Sequence, residues 1–124
     1  MRYRAAGLPV APATDDPVVS RIDLTTEYAF ATTQYGLRYP NLRKLSRASL
    51  EHAFLPGLSL WRARDVFVRA PACRHDTPGS KRLSARCRRL LRTSRKATAQ
   101  WELERRLRVF ERGVARSLRT RAMP

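Results

Sequence analysis

GLPVAPATDDPVVSRIDLTTEY, residues 7–28, holds an apolar run, two adjacent carboxylates and a helix-like period in that order. Leu8 to Thr14 follows Gly7 and stops at Asp15, Asp16 and Pro17, which predicts a buried strand followed by a turn. Pro12 removes a ladder donor from the middle of the run and points to an edge or distorted strand. Ser20 opens S-R-I-D, close to a capping box, and Gly36 supplies a stop, so a helix is expected over about 21–35. Leu24, Tyr28, Ala31 and Tyr35 fall on one face of that helix.

Further along, Pro40 suits a first helical position, and Leu42, Leu45, Ala48 and Ser49 continue a helical period toward Phe54 and Leu55 before Pro56-Gly57 ends it. Residues 62–82 carry Pro71, Pro78 and Gly79 without sustained periodicity and read as an irregular connection, with one helical turn around Asp65 to Val68. From Ser84 to Leu118 helix signals return on two stripes, Cys87, Leu90 and Leu91, then Trp101, Leu107, Phe110, Val114 and Leu118. The fold class is therefore mostly α, one short strand followed by helices. Three segments result: residues 1–61, the connection 62–82, and a basic helical extension over 83–124.

Charge is the compositional outlier. The 26 basic and 10 acidic residues give a net +16, and only Lys44, Lys81 and Lys96 of the basic set are lysines. Residues 1–60 hold 7 basic and 5 acidic groups, a net +2, whereas residues 61–124 hold 19 and 5, a net +14. Such a field attracts phosphate backbones without specific recognition. The arginines are dispersed along helical patterns and lack interleaved stacking aromatics, so a solvated face is the plain alternative. Cys73 and Cys87 either remain thiols or close a short loop as a disulfide; a second Cys/His pair that would complete a tetrahedral metal site is missing. No apolar run reaches the roughly 20 residues of a membrane span, and the amino terminus does not read as a signal peptide, so no membrane partner is expected and the location is cytoplasmic by default.

Asp15 and Asp16 carry the chemistry. Acids just past the carboxyl end of a buried strand can ligate a metal or move a proton, although Asp-Asp-Pro is also a common way to leave a strand. Together with the flanking phrases PVAPATDDPVVSRIDLTTEY and SLEHAFLPGLSLW, they make residues 7–61 resemble the last strand and following helices of the adenosine deaminase family. A looser similarity continues through APAC and TSRKATAQWELERRLRVFE; Pro12 and the arginine load after Trp61 depart from the family pattern. The resemblance implies an incomplete (β/α)8 barrel, hydrolytic deamination of a purine nucleoside such as adenosine, and zinc. It implies that Asp15 corresponds to the carboxylate zinc ligand beside the attacking water, and Asp16 to the group contacting the purine ring.

The family's paired histidine ligands, its third histidine ligand and its catalytic glutamate have no counterpart here and would precede Met1. His52, His75 and Glu51 do not occupy those positions. The isolated chain is thus expected to be inactive and to bind zinc poorly, unless a separate upstream barrel fragment pairs with Leu8–Thr14. The alternative is an arginine-rich helical module that binds nucleic acid or another polyanion non-specifically.

Overall fold

A computed structural model describes residues 2–14, 23–63 and 66–122. The chain divides into two compact units, Met1–Ala53 and Phe54–Pro124. Most described residues are helical, in agreement with the sequence expectation, and the extended structure is confined to one small antiparallel sheet.

The first unit contains α1 (Arg2–Ala5), α2 (Leu24–Tyr35) and α3 (Tyr39–Glu51). Asp23 caps α2: its Oδ1 accepts from the Thr26 N–H at 2.7 Å and from the Thr26 hydroxyl at 2.9 Å. Those bonds, the backbone one foremost, hold the Asp23 carboxyl below its ordinary range. Gly36 ends the helix at φ 60°, a left-handed conformation that favours glycine. Pro40 lies in the first turn of α3, where a missing N–H costs nothing. Ala31, Leu37 and Leu45 form the buried cluster, with Val10, Tyr28 and Leu42 against it, and the Tyr28 and Ser46 hydroxyls meet at 2.9 Å. Leu24 and Tyr35, expected on the same buried face, are about half exposed.

Leu8–Thr14 is not a strand. It runs as irregular backbone without a ladder partner among the described residues, and only Val10 packs on the cluster. The physical reason is composition: Pro9 and Pro12 bracket Val10 and remove two donors from a run of seven residues.

The second unit holds the sheet. Strand β1 (Trp61–Ala63) pairs antiparallel with β2 (Val66–Arg69), Trp61 opposite Arg69 and Ala63 opposite Val66. Within the stretch expected to be irregular, the helical turn expected around Asp65 to Val68 is replaced by strand pairing from Val66 on, Asp65 itself lying outside the described residues, because Val66, Phe67 and Val68 are β-formers and Phe67 sets its ring edge-on to Trp61 at 5.7 Å. A 3-10 turn (Pro71–Cys73) follows, then α4 (Ala85–Thr93) and α5 (Arg95–Arg121). Ser94 separates these two helices. Its hydroxyl accepts from Ala97 N–H at 3.0 Å as the α5 cap and donates to the Leu58 carbonyl at 2.5 Å, so its backbone leaves the helical region.

The core of this unit is Leu60, Trp61, Cys73, Cys87, Leu90, Ala97 and Trp101, and Cys73 and Cys87 are joined as a fully buried disulfide between the 3-10 turn and α4. Asp76, also buried, anchors the start of α4: Ser84 N–H donates to its Oδ1 at 2.6 Å and the Ser84 hydroxyl to its Oδ2 at 2.7 Å.

Both tryptophans lie in this unit's core, so their fluorescence reports its unfolding. A sequence separation of 14 between the cysteines corresponds to a stabilisation of about 3 kcal/mol from loop closure. Cys87→Ser should lower stability by that order in denaturant titrations, and a reductant should shift the unsubstituted protein equally while leaving the variant unmoved.

Candidate functional site

A helix brings residues three and four apart onto one line. Arg105, Arg108, Arg112, Arg116 and Arg119 have that spacing on α5, and they make a cationic row. Leu103, Leu107, Phe110, Val114 and Leu118 occupy another line, where Phe110, Val114 and Leu118 are largely exposed. The buried side of α5 is different again: Ala97, Gln100, Trp101 and Glu104 face inward over its first turns.

The row's members have unequal environments. Glu102 engages two neighbours: Arg105 donates Nε to Oε2 and Nη2 to Oε1, both at 2.6 Å, and Arg106 donates Nε to Oε1 at 2.9 Å. These donors, Arg105 first, push the Glu102 carboxyl down to about 2, and the same contact raises Arg105. Arg108 donates Nη1 to the Pro78 carbonyl at 3.2 Å, which ties the row to the preceding loop.

That loop supplies a wall. Ser80 N–H donates to the Thr77 carbonyl at 3.0 Å, closing a turn, and the Trp101 indole N–H donates to the Ser80 carbonyl at 3.2 Å. Gly79 sits at φ 74° with its Cα directly against the α5 backbone; a Cβ there would collide with the amide and Cα of Arg105. Between this turn and the helix lies a cleft of about 250 Å3, lined by Ser80, Lys81, Arg105, Arg108 and Arg112 with Gly79 and Val109. It gathers four cationic side chains from two segments of chain.

The residues singled out from sequence fall elsewhere. Asp15 and Asp16 lie outside the described residues. His52 caps the carboxyl end of α3, and His75 is exposed after the 3-10 turn, its Nε2 accepting from Arg74 Nε at 2.8 Å. Among the described residues no three His, Cys, Asp or Glu side chains converge. The cysteines are spent on the disulfide. Lys81, Ser80 and Gly79 were missed because the sequence shows only a polar loop there; the spacing of the arginines was the one signal pointing to this face. No family model matches the chain, and no solved structure matches it. No helix of the described residues is long and apolar enough to cross a membrane.

Two measurements test this geometry. Gly79→Ala forces a strained φ and a backbone collision, so it should lower the unit's melting temperature by several degrees and displace the Trp101 indole N–H signal. Glu102 has a depressed folded-state pKa, so its contribution is present above its ordinary value of 4.5 and lost as pH falls toward about 2. The small melting-temperature gap between the unsubstituted protein and Glu102→Gln should therefore persist at pH 7 and close across that acid window.

Proposed function

We propose that the second unit, residues 54–124, binds polyanions through the phosphate backbone of nucleic acid, without base-specific readout. The observation that carries this reading is the arginine row of α5 standing beside a cationic cleft. From Arg105 to Arg119 the helix rises about 21 Å, and a duplex presents about a dozen phosphate charges along such a length. The row therefore has more partners than it needs. Glu102, Glu104 and Glu111 lie to either side of it and leave the line itself cationic. Guanidinium forks suit phosphate oxygens, which a solvated lysine matches less well.

Arg105 is shared with Glu102, so Arg108, Arg112, Arg116 and Arg119 supply the main contacts. Four neutralised phosphates give a slope of about −3.6 in log K against log salt on duplex DNA, and a weakening on the order of 100-fold from 50 to 200 mM. Arg116→Ala with Arg119→Ala should flatten that slope by about 1.8 while leaving the circular dichroism unchanged, since both side chains are exposed. Salt-independent binding, or an unaltered slope in the double variant, would overturn the reading.

The likeness of residues 7–61 to the end of a deaminase barrel favours a second reading, a truncated adenosine deaminase-like protein in which Asp15 would serve zinc and Asp16 the purine. On that reading the chain supplied with zinc and adenosine forms no inosine; turnover that disappears on Asp15→Ala would show instead that it is a competent enzyme.

A further inference from the structure

We propose that the cleft between the Thr77–Ser80 turn and α5 is a terminal-phosphate pocket, which takes the phosphomonoester at the end of a nucleic-acid strand while the row takes the adjoining diesters. This rests on the polyanion reading and adds to it a preference for one chemical group.

Shape comes first. The row is convex and open, but the cleft is bounded on one side by a turn that Gly79 lays directly on the helix backbone. A volume of about 250 Å3 is below the usual range of sites for drug-sized ligands, roughly 300–1,000 Å3, and suits a small group entering end-on. An internal phosphodiester is flanked by sugars on both sides and can lie across the mouth but not enter; a terminal phosphate has one free side.

Charge points the same way. Glu102 offsets Arg105, which leaves Lys81, Arg108 and Arg112 around the cleft without a carboxylate partner among the described residues. A diester carries a single charge, whereas a phosphomonoester carries about −1.5 to −2 at neutral pH and offers three acceptor oxygens. Concentrated positive charge in a concave site favours the more highly charged group. The donors are complementary: two guanidinium forks, one ammonium, and the Ser80 hydroxyl, which accepts from Arg82 N–H at 3.1 Å and can donate its own proton. Two carbonyls of the turn that would repel an anion are already engaged, Pro78 by Arg108 and Ser80 by Trp101.

The test is fluorescence anisotropy with one single-stranded 12-mer carrying a 3′ dye and either a 5′-phosphate or a 5′-hydroxyl. The full chain should bind the phosphorylated strand on the order of tenfold more tightly, since one additional charge-assisted contact is worth about that factor. Lys81→Ala should bring the phosphorylated strand to the level of the hydroxyl strand, while Arg116→Ala with Arg119→Ala weakens both in the same proportion. Inorganic phosphate at millimolar concentration should erase the preference. Equal binding of the two strands, or a preference that survives Lys81→Ala, overturns the pocket and leaves the polyanion reading standing. Absence of binding by either strand overturns both. A nucleoside monophosphate that binds as tightly as the 12-mer makes the ligand a free nucleotide and overturns the strand-end assignment.

Discussion

The seating of residues 56–63 and 66–84 on the first half of α5 is the constraint on which the second unit depends. Four side chains of that helix and its cap reach backbone groups of the preceding chain: Ser94 the Leu58 carbonyl, Gln100 the Leu60 N–H at 2.8 Å, Trp101 the Ser80 carbonyl and Arg108 the Pro78 carbonyl. Irregular chain cannot satisfy its own amides and carbonyls as helices do, and burying them unpaired is costly. Here the helix supplies the missing partners. The turn that walls the cleft is therefore fixed by the interior of the unit, although the cleft itself is open to solvent.

Apolar packing alone would hold such a small unit weakly. The disulfide joins the 3-10 turn to α4 inside a core whose large buried members, among the described residues, are two tryptophans and two leucines. It limits the unfolded chain most in the segment between Cys73 and Cys87, which includes Gly79, Ser80 and Lys81. The covalent link, the Asp76 anchor at Ser84 and the Trp101 bond at Ser80 act on the same short stretch from three directions. A loop held in that way can keep a lysine beside three arginines, an arrangement that their mutual repulsion would otherwise disperse.

Local signals in the sequence translated well where they depend on one or two residues. Gly36 stopped α2, Pro40 opened α3, and the periodicity of the last third gave helices. The sequence places Asp23 at the far end of a capping box begun by Ser20, whereas it is itself the cap, because a carboxylate one residue before the helix reaches Thr26 directly. Leu8–Thr14 differs from its expected strand for the opposite reason: Pro9 and Pro12 together remove donors from an apolar run, and a strand also requires a neighbour, which no single run can reveal. The pairing of Trp61–Ala63 with Val66–Arg69 is hidden in the sequence because the strands are only three and four residues long and the stabilising pair, Trp61 with Phe67, is a contact across strands. The arginines are legible in the sequence as charges dispersed along a helical pattern, which fits a solvated face and a polyanion-binding module alike. The cleft was not visible, since it joins residues about 30 positions apart through a glycine whose role is to allow close approach.

The arginine load also bears on stability. Residues 61–124 carry a net +14, and like charges gathered on one compact unit oppose its folding. Part of that repulsion is absorbed internally, at Glu102 for Arg105 and Arg106. The rest faces solvent along Arg112, Arg116 and Arg119, where only mobile counterions oppose it. Any polyanion that bridges those positions relieves repulsion in the folded state, where the charges are aligned, more than in the unfolded chain, where they are dispersed. Binding and folding are then thermodynamically coupled: the ligand stabilises the unit that aligns the row, and the aligned row is what binds the ligand.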